Sequence, residues 1–425
     1  MNNQLPPYPM IGECYQMLSV ALGTKNSNRG VDRWAREGDF NWALVPKLKN
    51  ELIKRPLAEK TDEPFADYVL AQLEMTSDIY LQLVKKCALD AMARAEVIPL
   101  LVEQLFVPTL ASFLVNLSQG IDGPSIVDFS NPDQEPFDKV FCWLEECLDI
   151  EPQSLDQHLY PTSVGNDKNG REALKRWRKG KQKPDLVSVC SIAELTVIRF
   201  PTARLIVTDL KKWLLVARAV KYFEGEAKAY IDLREAVFRE LLTGVKPRDI
   251  GKALSYANIE KSERLATLIK PGLMLSDRLR RNVPKQPGEQ LEIEKEIQNF
   301  ESMLIEHDKD GLATYYLNWM KGRWRILVGD YDTAIDYYEA AVDQALYRAG
   351  QAQKKILQEG LVLAAKLQRM PLYKRLKHRA LVFDMAVIDP PSKSQVAQPD
   401  ELMLWANNFD LIFPCHGRFG EDSSE

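Results

Sequence analysis

The chain has 425 residues, 45% hydrophobic and 27% charged, enough for two or three cores of ordinary globular make-up. Its net charge of −4 argues against a protein that coats nucleic acid non-specifically, while leaving room for a local basic face. Met1 to Met10 is polar and proline-rich rather than a charged leader with an apolar core, so a cytoplasmic protein with no membrane partner is expected. Cys14, Cys87, Cys142, Cys147, Cys190 and Cys415 form no CxxC pair and are expected as reduced, buried thiols.

Apolar residues recur at helical spacing almost throughout, which predicts an all-α fold. Phe65, Tyr68, Val69, Leu73, Ile79, Leu83 and Val84 predict amphipathic helix, little interrupted between Pro64 and Pro99. Val97 to Leu117 is very apolar but carries Pro99, Glu103, Pro108 and Asn116, and it reads as a buried core segment rather than a lipid-spanning one. The stretch 120–184, rich in Gly, Pro, Asn and Asp, is less regular and ends in a basic patch. Leu205-Ile-Val-Thr is β-like in isolation, but its continuation through Leu210, Trp213, Leu214 and Val216 favours helix. Helices are predicted near 202–223, 226–243, 246–256 and 258–269, with a turn at Pro271-Gly272 and a linker from Pro284 to Gly288. The linker separates basic Arg278, Arg280 and Arg281 from acidic Glu289 to Glu301; Asp389-Pro-Pro-Ser closes the regular part, and Asp422 to Glu425 reads as a frayed end. The expected division is 1–200, 201–389 as a helical-hairpin domain, and 390–425 as a C-terminal helix and tail.

Lys168 to Lys183 holds eight Lys and Arg residues against Asp167 and Glu172. Gly170 to Gly180 reads as a short helix with Ala173, Leu174 and Trp177 on one side and Arg171, Lys175 and Arg178 on the other. Gly180 is its stop, and Pro184 opens the next helix. The run Leu174-Lys-Arg-Trp-Arg-Lys-Gly-Lys-Gln-Lys-Pro-Asp-Leu resembles the end of the recognition helix in lambda-repressor/Cro-type helix-turn-helix domains. The resemblance spans about 155–195 and implies a helix lying in the DNA major groove. It implies Asn169, Arg171 and Glu172 near bases, Lys175, Arg178 and Lys179 near phosphates with Lys181 beside them, and Trp177 in the domain core. The sequence departs from that pattern at 155–165, where Pro161 interrupts the bracing helix. A fainter copy is suggested by Gly23 and Gly38, spaced like Gly165 and Gly180, with Val31-Asp-Arg-Trp between them; an offset of 142 carries Leu44, Val45, Leu48 and Ile53 onto Leu186, Val187, Cys190 and Leu195. Asp32, Glu37 and Asp39 deny that copy the basic density. The competing readings of the basic helix are a solvated face and a docking surface for an acidic protein.

Further along, Gly322, Gly329, Tyr331, Ala334, Tyr338 and Ala341 are spaced as small and aromatic residues must be where two antiparallel helices pack closely. Tyr315 to Leu346 resembles a tetratricopeptide repeat, with Asn318, Arg325 and the lack of a closing proline as departures. A second hairpin is expected from Gln351 to Gln368 and Pro371 to Met385. The resemblance implies an α-solenoid with an inner groove for a peptide or protein. Arg323, Arg325, Lys354, Lys355, Lys374 and Arg375, with Lys377 and Arg379, are candidate groove residues, against the alternative of a solvated outer face. Trp319, Trp324, Tyr337 and Tyr338 read as inter-helix packing.

Four histidines, His158, His307, His378 and His416, fall in no metal-ligand spacing, and Cys415-His416 lacks an orienting acid. No GxxxxGK[ST] loop and no GxGxxG after a strand occurs. The expectation is a non-enzymatic protein without cofactor or metal. It would be a helix-turn-helix regulator that binds double-stranded DNA, as a monomer or a homodimer, and senses a partner through its repeats. The alternative is an interaction scaffold in which the helix-turn-helix is a packing remnant.

Overall fold

The computed structural model describes residues 5–24, 29–36, 40–161, 165–246, 248–280 and 287–385. Over these the chain is all-α: 18 helices cover 78%, with no strands. The features expected at Glu37 to Asp39, Arg281, Pro284, Asp389-Pro-Pro-Ser, Cys415-His416 and the 390–425 segment lie outside the described residues.

The first five helices are α1 (Ile11–Leu22), α2 (Arg29–Arg36), α3 (42–60), α4 (Glu63–Lys86) and α5 (Arg94–Gly120). Pro56 and Pro108 sit inside α3 and α5 because each follows a widened π-type turn, at Asn50–Lys54 and Val102–Phe106. The wider turn relieves the clash between a proline ring and the carbonyl four residues back. The expected helix from Pro64 to Pro99 is broken at 87–93. There Leu89 N–H donates to the Arg348 carbonyl at 2.8 Å, Ala91 N–H donates to Asn258 at 3.0 Å, and Ala88 bridges Ala349. Distant partners thus claim backbone groups that a helix would have used.

Helix α5 is long and apolar enough to cross a membrane by length and composition alone, and about a third of its most apolar stretch is buried. The segment expected to be buried in the core is thus buried along one side only. Val97, Leu101, Ala111, Leu114 and Leu117 face the core, while Ile98, Val102 and Phe106 are only half-buried and line a cavity described below.

Next come α6 (Ile126–Ser130), α7 (Pro136–Cys147), α8 (Leu155–Leu159), α9 (Gly165–Arg178), α10 (Leu186–Arg199) and α11 (Val207–Ala227). Helix α11 is central: Leu210, Trp213, Leu214, Leu215 and Ala217 are fully buried, and it packs against α1, α7 and α10. Then follow α12 (Leu233–Thr243), α13 (250–280) and α14 (Pro287–His307). The predicted turn at Pro271-Gly272 is not one, because both residues lie within α13. Leu268, Leu275 and Leu279 are buried along one side of it, and the packing of that stripe outweighs the local cost of the proline. Aspartates at 62, 185, 232 and 249 start α4, α10, α12 and α13, each accepting a bond from a backbone N–H of the first turn.

The last four helices, α15 (Thr314–Leu327), α16 (Tyr331–Ala345), α17 (Ala352–Lys366) and α18 (Met370–Val382), pack each on the next. Gly322 lets α16 approach α15, since a Cβ there would stand 3.0 Å from the Tyr338 ring. Ala334 and Ala341 are fully buried in the same contact. The aromatics Trp319, Trp324 and Tyr338 are buried as expected.

Candidate functional site

Helices α7 to α10 contribute Phe137, Val140, Phe141, Leu144, Leu155, Leu159, Leu174, Trp177, Val189 and Ile192 to the hydrophobic core. Leu174 and Trp177 hold α9 down, as the sequence predicts, and Lys168, Asn169, Glu172, Lys175 and Arg176 are exposed. Gly180 ends the helix in the left-handed conformation, at φ 62°, with the Lys181 N–H reaching back to the Arg176 carbonyl at 2.9 Å. Helix α10 then starts at Asp185, whose carboxylate accepts the Ser188 N–H at 2.7 Å; the expected opener, Pro184, precedes this cap.

The cations of α9 divide into two sets. Arg178 is turned inward: it pairs with Asp138 at 2.8 Å and with Glu145, and lies 5.3 Å from the Phe141 ring centre. Glu145, itself buried, also accepts the Gln153 and Leu155 N–H groups at 2.9 Å each, so this one carboxylate joins α7, the start of α8 and the end of α9. Arg171 donates to the Tyr160 and Pro161 carbonyls at the end of α8, where a cation complements the helix dipole. Arg178, expected near phosphates, and Arg171, expected near bases, are thus both engaged within the chain. The second set faces out. Lys175 keeps 54% of its side chain exposed, with Asp156 at 3.7 Å, and Lys168, Arg176, Lys179, Lys181 and Lys183 are exposed too. The sequence pattern does not single out Arg176, because its neighbours at 175 and 178 already fill the basic side it suggests.

Beyond Gly180 this surface continues into a cleft of about 520 Å³ lined by Lys181, Lys183, Lys221 and Lys228 together with Glu224 and Asp232. Lys221 is engaged by Glu135 and Glu224, at 3.1 and 3.0 Å. The pairing of Lys221 on α11 with Glu135, which precedes α7, has no local sequence signal.

Of the suggested internal copy, Leu44, Val45, Leu48 and Ile53 lie in α3 as Leu186, Val187, Cys190 and Leu195 lie in α10, but the glycines differ. Gly23 is the left-handed end of α1, at φ 73°, whereas its counterpart Gly165 begins α9.

The candidate partner residues of the repeat half differ in exposure. Arg323 is fully buried and ion-paired with Glu359, which also accepts the Trp319 indole N–H at 2.7 Å and the Tyr338 hydroxyl at 2.6 Å. Burial opposes the Arg323 charge, but the charge and hydrogen bonds of Glu359 outweigh it, so the guanidinium holds its proton more tightly than in water. Arg375 pairs with Glu339, and the neighbouring Arg369 and Arg379 pair with Asp332 and Asp343, forming a ladder from α18 to α16. Arg325 lies near Asp330 of its own turn, at 3.6 Å. Lys354 and Lys374 are exposed, and Lys355 is half-buried.

A larger cavity has no counterpart in the sequence pattern. It has a volume of about 950 Å³ and lies among α1, α4, α5 and α11, with Leu18, Leu73, Ile98, Leu105 and Phe223 on its walls. Arg94 and Glu13 pair at its edge. No disulfide joins the described cysteines, and no cluster of three potential metal ligands occurs among the described residues. Cys147 is exposed rather than buried as expected. No protein-family model, curated protein or solved structure matches the chain.

Proposed function

We propose that the chain is a double-stranded-DNA-binding regulator in which α9 is the recognition helix and the α15–α18 hairpins, read as tetratricopeptide-like, form a partner-binding half. The observation that carries the reading is the outward set on α9 and its following turn: Lys168, Lys175, Arg176, Lys179, Lys181 and Lys183 exposed on a helix anchored by Leu174 and Trp177. Asn169 and Glu172, exposed near the start of the helix, remain the candidate base contacts. Arg171 and Arg178 act as positioning residues that hold the helix at its angle.

The test is duplex binding followed by fluorescence anisotropy across a salt series. Removing one phosphate-binding cation lowers the slope of log affinity against log salt by about 1, so Lys175→Ala/Arg176→Ala/Lys179→Ala lowers it by about 3. Unchanged affinity and slope in that variant overturn the reading.

A second reading is favoured by the internal engagement of Arg171 and Arg178: a non-enzymatic interaction scaffold in which these helices only pack. It expects no salt-dependent duplex binding from the native chain.

A further inference from the structure

We propose that the 950 Å³ cavity is a binding site for a long-chain carboxylate, its alkyl chain among the apolar walls and its head on Arg348. The cavity stands at the upper end of the roughly 300–1,000 Å³ range of small-molecule sites. Its lining is mostly apolar, and it reaches the surface at Leu5, Met17 and Tyr230, all exposed. A pocket of that make-up takes an apolar ligand whose orientation is set by a few polar groups. Arg348 decides what kind of head the ligand carries.

Arg348 lines the cavity and is only 6% exposed, yet a guanidinium keeps its charge even there. Its Nη1 donates to the Leu89 and Met92 carbonyls at 3.4 and 3.3 Å, long for bonds from a cation. Those two bonds use both Nη1 hydrogens. Nε and Nη2 meet no acceptor among the described residues, and Arg348 forms no ion pair with any of them. The carboxylates whose fields reach it are Asp90 and Asp308. Asp90 accepts the Tyr315 hydroxyl at 2.7 Å, and Asp308 accepts the Leu312 and Ala313 N–H groups at 3.0 and 2.7 Å. Burial outweighs both fields and holds the guanidinium below its ordinary value. A charge in that condition is costly until an anion pairs with it, and a carboxylate binds a guanidinium edge through two parallel bonds. The other charged lining groups leave this role to Arg348: Arg94 pairs with Glu13, Asp310 pairs with Arg264 at 3.2 Å, and Glu226 is exposed.

The experiment titrates the full chain calorimetrically with decanoate, octanoate, decanol and decylammonium. Decanoate is expected to bind one-to-one and at least about 10-fold tighter than decanol, the discrimination that a hydrogen-bonded charge supplies. Octanoate, shorter by a pair of methylenes, is expected to bind about 10-fold more weakly than decanoate. Arg348→Gln loses the preference for decanoate over decanol and still takes decanol. Ile98→Trp fills the cavity while leaving Arg348 in place and weakens both ligands at least about 10-fold; it carries the test if Arg348→Gln does not fold. The proposal is overturned by no decanoate bound at millimolar concentration, or by decanol binding as tightly as decanoate, which makes the site one for neutral molecules. It is equally overturned by decylammonium binding tighter than decanoate, which gives the head to Glu226 and Asp310. Decanoate unaffected by Ile98→Trp, or keeping its advantage in Arg348→Gln, places the ligand elsewhere and overturns it too. No cation of α9 takes part, so the outcome is independent of duplex binding.

Discussion

Replacing Glu359 with Leu tests the physics of the repeat half most directly. The side chains of Arg323 and Glu359 are 0% and 4% exposed, so solvent cannot take over when the carboxylate is removed. A buried charge stripped of its partner costs about 3–5 kcal/mol. The Trp319 indole and Tyr338 hydroxyl lose their acceptor as well, at about 1 kcal/mol or more each, which places Glu359→Leu near the top of that range. The double variant Arg323→Leu/Glu359→Leu removes both charges and leaves only the two neutral donors unsatisfied. It is therefore expected to be more stable than Glu359→Leu alone by about 2 kcal/mol or more, a coupling that additive effects cannot produce. Urea unfolding followed by circular dichroism, with hydrogen exchange resolved to α15–α17, measures both quantities. A cost below about 1 kcal/mol for Glu359→Leu, or a double variant equal to the sum of the singles, would refute the argument.

Three further outcomes are expected. Gly322→Ala drives a methyl to 3.0 Å from the Tyr338 ring and costs about 1–3 kcal/mol in urea unfolding, despite alanine's better helix propensity. Burial pushes the Cys87 thiol up to about 11, so at pH 8 only about one molecule in a thousand is thiolate; timed iodoacetamide labelling with peptide mapping finds exposed Cys147 modified before Cys87. Asp185→Ala removes the α10 cap and costs about 1 kcal/mol at pH 7. The hydrogen bonds from Ser188 hold the Asp185 carboxyl below its ordinary value, so this contribution is present above the unfolded-state value and is lost as pH falls through the folded one; the urea midpoints of native and variant proteins converge below about pH 4.

The features legible in the sequence are those set by neighbours in the chain. Helical periodicity shows the all-α class, Gly180 marks the end of α9, and the spacing of Gly322, Ala334, Tyr338 and Ala341 describes the α15–α16 contact. What stays hidden depends on partners far along the chain. Nothing near Cys87 signals a helix break, because the groups that enforce it sit at Asn258 and Arg348. Arg323 reads as a surface cation until Glu359, on a different helix, is seen to neutralise it. The inward turn of Arg178 likewise needs Asp138 and Glu145 from α7. The large cavity is made by four helices drawn from residues 5 to 230 and beyond, and no single segment announces a concave surface.

The seam between residues 84–92 and 347–353 has a consequence for how the protein is made. Gln353 donates to the Val84 carbonyl at 2.8 Å, and Ile11 N–H reaches Tyr347 across 336 positions. A ribosome adding about 5–20 residues per second exposes the first half for tens of seconds before its complement emerges. During that wait the 87–93 loop holds unmatched amides and carbonyls beside apolar side chains, a surface on which nascent chains can associate. Production yield should therefore depend on chaperone supply more steeply than the finished molecule's stability would suggest.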